Sequence, residues 1–245
     1  RLAPDVTVGP FSVIGAEVEI DAGTWIGPHV VIQGPTRIGR DNRIYQFSSL
    51  GEMPQDKKYG GEPTRLEIGD RNTIREFVTI NRGTAQDAGL TRLGHDNWIM
   101  AYVHIAHDCT VGDRTIFANG ASLAGHVHIE DDVVLGGFAL VYQFTRLGMH
   151  SFCGFACGVH RDVPPYVTVA GYRAEPHGIN AEGLRRRGFA DEEIQAIRRA
   201  YKVIYRANLR LEEALDKVRE MTVEWPRLQI LADFLAAPSR NGIVR

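Results

Sequence analysis

The chain has 245 residues, 44% apolar and 24% charged, and its 28 basic against 30 acidic residues leave a formal net charge of −2. That length suits one large domain or two small ones, and the near-even charge argues against a nucleic-acid-binding protein. Gly is frequent at 26 residues, yet 11 Pro and ordinary charge exclude a collagen-like or low-complexity chain, and no long apolar run suggests a membrane span.

The opening RLAPDVTVGP lacks the basic-then-apolar profile of a secretory signal. From Leu2, every sixth residue is apolar: Val8, Ile14, Ile20, Ile26, Ile32, Ile38, Ile44 and Leu50. The phase resumes at Ile68, Ile74 and Ile80. One residue later it runs from Leu93 through Ile99, Ile105, Val111, Phe117, Leu123, Ile129, Leu135, Val141, Leu147 and Cys153 to Val159. Such a run is far beyond chance at a 44% apolar background. Gly follows the apolar residue at Gly9, Gly15, Gly27, Gly39, Gly51, Gly69, Gly94, Gly112, Gly136, Gly148 and Gly154. A period of six predicts short strands joined by tight bends, each with one aliphatic residue inside and often a Gly where the backbone turns. Three hexads per triangular coil give about eight coils, roughly 38 Å long at a strand spacing of about 4.8 Å. The fold class is therefore an all-β solenoid, a parallel β-helix, over residues 1–170.

Two stretches break the ladder. Residues 51–66 put Asp56 and Glu62 at inner positions, and residues 81–92 put Gln86 there and shift the phase. Charged groups do not fill an apolar column, so both stretches are expected to loop outward. After Val159, Pro164 and Pro165 stop regular pairing. Residues 171–245 read as a small α-helical domain. Ile194, Ile197, Tyr201 and Ile204 form one helical stripe with Asp191 as N-cap, and Leu211, Leu215 and Val218 a second. Pro226 opens a third helix carrying Leu231, Phe234 and Leu235. The cysteines Cys109, Cys153 and Cys157 are odd in number and lack C-x-x-C spacing, the pattern of reduced thiols in a cytoplasmic protein.

Stacked coils make residues one full coil apart neighbours. His107, Gly125 and Gln143 then share one column, Asp108, His126 and Phe144 the next, and His104 sits on or near the same bend. Neutral His is a competent general base near neutral pH, and Asp108 is placed to orient the ring. A Gly N–H one coil away is open to an oxyanion because no side chain blocks it. Two other readings stay open here: plain surface histidines of a scaffolding solenoid, and a zinc site such as that of gamma-class carbonic anhydrases. The latter use His pairs five residues apart, and no two histidines here have that spacing.

The segments IYQFSSLGEMPQDKKYGGEPTRLEIGD, HIAHDCTVGDR, SLAGHVHI, RDVPPYV and NAEGLRRRGF add specificity. Over essentially the whole chain the sequence resembles the hexapeptide-repeat acyltransferases of UDP-N-acetylglucosamine that open lipid A synthesis. The resemblance implies a left-handed coil and a homotrimer. It implies transfer of a 3-hydroxyacyl chain from acyl carrier protein to the sugar 3-hydroxyl. The acyl group rides on the carrier's phosphopantetheine, and neither a metal nor a cofactor of the enzyme's own is implied. By the same resemblance His107 is the base, Asp108 its partner and Gly125 the oxyanion donor. His104 and His126 contact substrate, and Gln55, Asp56 and Lys58 line the sugar and acyl region. Gln143, Asn180, Glu182, Arg186 and Arg187 form the nucleotide-binding set. An N-acyltransferase of a 3-amino sugar is the close alternative within the family. Two departures stand out: Tyr142 replaces a common His, and Phe155 occupies the position of the acyl-chain ruler, where Gly admits longer chains. Stacking above Gly137 and Asn119, Phe155 predicts a shorter acyl chain.

Overall fold

The computed structural model describes residues 1–245. Short strands, most of two residues, follow one another at the hexad spacing and pair in parallel with strands one coil away. They build a left-handed β-helix of triangular section with three faces. The first face has ten strands beginning at Thr7–Val8, the second eight from Val13–Ile14 to Gly158–Val159, and the third seven from Val18–Ile20 to Arg146–Leu147.

From Ile20 to Val159, every hexad residue is at most 3% exposed. Leu2 and Val8, at the start of the ladder, are 43% and 39% exposed. Each fully buried aliphatic of this column contributes about 1.5–3 kcal/mol relative to exposure, so the ladder is the main source of cohesion. Polar order joins it. Asn42 Oδ1 accepts from the Asn72 N–H, Asn72 Oδ1 from Asn97 and Asn97 Oδ1 from Thr115, each at 2.8–2.9 Å, which satisfies buried backbone donors through four coils.

Apart from Gly51, at φ 73°, the glycines that follow the inner aliphatics do not take the left-handed turn conformation, contrary to the expectation from spacing. The left-handed turn conformation is carried mostly by other residues, among them Phe47, Asp108 and His126 at φ 63°, 58° and 62°. The glycines are there for coil spacing. A Cβ at Gly94 would lie 2.6 Å from the Gly112 carbonyl oxygen, and one at Gly136 2.7 Å from the Gly154 carbonyl carbon. Backbones that close leave no room for a methyl group.

Strands run further into both inserts than the broken hexad suggests. Ser49–Glu52 and Arg65–Ile68 bracket the first insert, and Thr79–Asn81 and Leu90–Leu93 the second. Leu66 and Thr91 are fully buried, so the loops proper are residues 53–64 and 82–89. Asn81 Nδ2 donates to the Met53 carbonyl at 2.7 Å, and Arg82 donates to the Gly51 carbonyl and the Tyr59 hydroxyl at 2.9 and 3.1 Å. The second insert thus pins the first.

The tail opens on a strand, not a helix: Glu175–Ile179 pairs antiparallel with Val167–Ala170 at the edge of the first face. Four helices follow: α1 (Ala181–Arg186), α2 (Asp191–Arg206), α3 (Leu211–Thr222) and α4 (Gln229–Ala236). The stripe Ile194, Ile197, Tyr201 and Ile204 of α2 is buried. Ala190, not Asp191, is the N-cap of α2; Asp191 is the first helical residue, and Glu193 reaches back to accept the Ala190 N–H at 2.8 Å. Pro226 opens a 3-10 turn, Pro226–Leu228, that leads into α4, whose Leu231, Phe234 and Leu235 are buried. Ile243 and Val244 return to the solenoid beside Asp162. No helix is long and apolar enough to cross a membrane.

Candidate active site at the insert corner

Both inserts leave the coil where the second face turns into the third, and the histidine column occupies the same corner in the next coils. His107 and Asp108 lie between His104–Ile105 and Thr110–Val111. Gly125 and His126 lie between Ser122–Leu123 and His128–Ile129, and Gln143 and Phe144 between Leu140–Val141 and Arg146–Leu147. A rigid solenoid therefore presents one edge on which loops and histidines converge.

His107 Nδ1 is 2.8 Å from Asp108 Oδ2. An ionised carboxylate only accepts, so Nδ1 carries the proton and Nε2 is left with its lone pair. Asp108 has a side chain only 1% exposed, and Thr84 donates to it twice, from its N–H at 2.9 Å and its hydroxyl at 2.6 Å. Burial opposes ionisation of this carboxyl, but the hydrogen bonds from His107 and Thr84 outweigh it and hold the pKa below its ordinary value. Thr91 Oγ1 accepts the Asp108 N–H at 2.8 Å and fixes the bend.

Gly125 lies against the imidazole: a Cβ there would meet His107 Cε1 at 2.6 Å and Nε2 at 2.8 Å. Its N–H donates to no protein acceptor. The same holds for the first turn residues Ala101, Gly137 and Gln143, so the free donor is a property of the bend. What singles out Gly125 is the His107 imidazole against it.

His126 Nδ1 is 2.7 Å from Asp87 Oδ2, its ring stacks on Phe144 at 4.5 Å, and its edge meets His107 at 5.1 Å. His104 Nδ1 lies 2.7 Å from Thr79 Oγ1, and burial, helped by His107, lowers its pKa and keeps it neutral. Cys109 is buried, and burial pushes its thiol up to about 12, so it is no nucleophile. The donor atoms of His107, Asp108 and His126 come within 4.8 Å of one another, compact enough for a cation. Yet Asp108 already accepts from His107 and Thr84, and His126 Nδ1 faces Asp87. The arrangement is that of an oriented base with a hydrogen-bonded second histidine.

The other sequence-named residues divide. In the first insert Asp56 Oδ1 accepts the Lys58 N–H at 2.9 Å in a local turn, and Gln55 and Lys58 are exposed. Gln143 stands with the histidines, where Asn241 of the tail donates to its carbonyl at 3.3 Å. Asn180, Glu182, Arg186 and Arg187 are elsewhere. They line a cavity of about 730 Å³ between α1 and the outward residues Ile116, Val134 and Phe152 of the first face. Asn180 caps α1 by accepting the Gly183 N–H and donates to the His150 carbonyl, both at 3.1 Å, so its side chain is engaged at both ends. Arg186 is 77% exposed and pairs with Glu182 at 3.0 Å. Phe155 sits at the corner of the first and second faces, 73% exposed, with its ring over Gly137 at 3.3 Å from where a Cβ would be. It does not pack between coils. Tyr142 is exposed, its ring 6.2 Å from that of His160.

Sequence reasoning missed Thr84 and Asp87. Both belong to the second insert, and no repeat or motif announced that its loop folds back onto the histidine corner.

Comparison with known proteins fits this layout. The family described as "Udp N-acetylglucosamine O-acyltransferase; Domain 2" matches residues 162–244, and the bacterial transferase hexapeptide family matches residues 91–125. An acyl-[acyl-carrier-protein]–UDP-N-acetylglucosamine O-acyltransferase of Herminiimonas arsenicoxydans is 61% identical, covering 100% of this chain and 95% of its own. The chain belongs to this acyltransferase family. A same-named protein of Halorhodospira halophila, also 61% identical, covers the chain equally. Among solved structures, the UDP-N-acetylglucosamine O-acyltransferase of Moraxella catarrhalis superposes with a TM-score of 0.97 at 44% identity, covering 100% of this acyltransferase and 95% of that chain. The Francisella novicida UDP-N-acetylglucosamine acyltransferase gives the same TM-score and identity, with 90% of its chain covered.

Proposed function

We propose that the chain transfers a 3-hydroxyacyl group from acyl carrier protein to the 3-hydroxyl of UDP-N-acetylglucosamine, the first step of lipid A biosynthesis. The observation that carries this is His107, its Nδ1 on buried Asp108 and its free Nε2 beside Gly125. Nε2 takes the sugar hydroxyl proton as that oxygen attacks the thioester carbonyl. The tetrahedral oxyanion accepts the Gly125 N–H. Collapse breaks the carbon–sulfur bond, and the imidazolium returns its proton to the departing phosphopantetheine thiolate. No covalent enzyme intermediate, metal or resident cofactor enters. The O-acyltransferase names of the relatives favour a hydroxyl over an amine acceptor.

The two clusters support an oligomer. From His126 to Asp132, which borders the nucleotide cavity, the chain crosses one whole side of the coil, at most about 20 Å, and the cavity opens on a different face. The two clusters thus lie on different sides of one coil, an arrangement that suits the homotrimer the resemblance implies, in which another copy brings its first face to the histidine corner. The buried free thiols and the nucleotide-sugar acceptor suit a cytoplasmic enzyme.

Incubation with UDP-N-acetylglucosamine and a mixed pool of 3-hydroxyacyl carriers, with products weighed by mass spectrometry, tests the reaction. No acylated nucleotide sugar would refute it. Phe155 gives the same assay a second readout. Its exposed ring, braced by Phe138 at 5.9 Å between centroids, projects at the far corner of the second face from His107. Phe155→Gly is expected to shift the product toward longer chains; an unchanged distribution would rule out the ruler.

A further inference from the structure

Asp132 sits at the bend between the third and first faces, with φ of 62° and a carboxylate only 6% exposed. Arg114 donates to it from Nε at 3.0 Å and Nη2 at 3.2 Å, and Arg187 Nη1 pairs with its Oδ1. His150 Nδ1 is 3.7 Å away. Arg114 also donates to Asp131 at 2.9 Å, so one guanidinium spans two carboxylates and leaves Asp132 free to hold a second. Arg187 Nη2 donates to the Arg114 carbonyl at 3.2 Å. Both Nη nitrogens of Arg187 are thus anchored, whereas its neighbour Arg186 is 77% exposed and holds only the exposed Glu182. His150 stacks on Tyr166 at 5.8 Å and meets Phe189 edge to face at 5.1 Å, and burial keeps it neutral against the pull of Asp132, so it adds no third positive charge. All of Asp132, His150 and Arg187 line the cavity of about 730 Å³.

We propose that Asp132 is a positioning residue that mounts Arg187 in the cavity wall to meet the nucleoside diphosphate end of the substrate. This rests on the reading of that cavity as the nucleotide side of the site. An unmounted arginine must lose rotamer freedom each time it grips an anion. Arg187, tied at two nitrogens by a buried acid and a carbonyl, has lost most of it on folding. The fixed guanidinium then discriminates by position, and exposed Arg186 supplies charge without geometry.

The test titrates UDP alone into the protein by calorimetry. Asp132→Asn is expected to weaken UDP binding about tenfold, the size of one charge-assisted hydrogen bond. In turnover the loss should fall on KM for the nucleotide sugar rather than on kcat or on KM for the acyl carrier. Arg187→Gln should show a similar loss. The double variant should be no worse than Arg187→Gln alone, because Asp132 acts through Arg187. Additive losses, or UDP affinity unchanged in Asp132→Asn, would overturn the mount. If Asp132→Asn does not fold, Arg187→Lys carries the question: it keeps the charge but cannot bridge both anchors, and wild-type UDP affinity in that variant would overturn the proposal. A wild-type protein that binds no UDP defeats the nucleotide reading itself, a result separable from failure of the mount.

Discussion

His107→Ala is expected to lower the acyl-transfer rate by about two to four orders of magnitude, the usual worth of a positioned general base. The reason is structural. Nδ1 is committed to Asp108 at 2.8 Å, so the basic lone pair resides on Nε2 alone. Asp108 is in turn locked by Thr84 and Thr91. His104 faces Thr79, and His126, although its Nδ1 is held by Asp87 in the same way, turns its Nε2 toward buried Asp108 Oδ2 at 3.9 Å. His107 lies outside the hexad column, so its loss leaves that core intact and the variant should elute with wild type on gel filtration. Single-turnover rates with the carrier-bound acyl donor measure the effect directly. Turnover within fivefold of wild type would remove His107 from the role of base.

Gly125→Ala is expected to cost about a hundredfold, because one methyl group displaces that base by a fraction of its diameter. The added Cβ would lie 2.6 Å from His107 Cε1, closer than real contacts allow, and the ring must swing away. Gly125 has no left-handed backbone to strain, so the substitution acts through the imidazole and not through the turn. The N–H proposed to meet the oxyanion is retained. The prediction therefore separates the position of the base from the oxyanion donor: kcat falls while thermal stability stays near wild type. Full activity in Gly125→Ala would mean that the ring does not need the place in which it is seen.

These two expectations show how far the chain could be read without its fold. A one-coil offset was enough to pair His107 with Gly125 and Asp108 with His126, since a solenoid turns sequence distance into stacking by a fixed rule. The turn glycines were misjudged for an equally physical reason: spacing shows that a small residue recurs, not whether φ or a neighbouring backbone requires it. Gly94 and Gly136 answer to the neighbouring coil. The inserts were legible as interruptions only. Where Thr84 and Asp87 land depends on how a loop of the second insert folds back, and no periodicity governs that.

By itself the sequence determined the solenoid, because a column of one aliphatic per six residues has a single way to be buried. It also determined which coil edge bears the histidines, because register along the ladder is set by that same column. Only the tertiary structure decided the electrostatics of the site and its division. Thr84 and Asp87 reach the histidines across the loop, and Arg187 meets Asp132 from the C-terminal cap of α1, which no repeat aligns with the coil. Such contacts arise between segments whose separation along the chain carries no period, so they exist only once the packed core has brought those segments together.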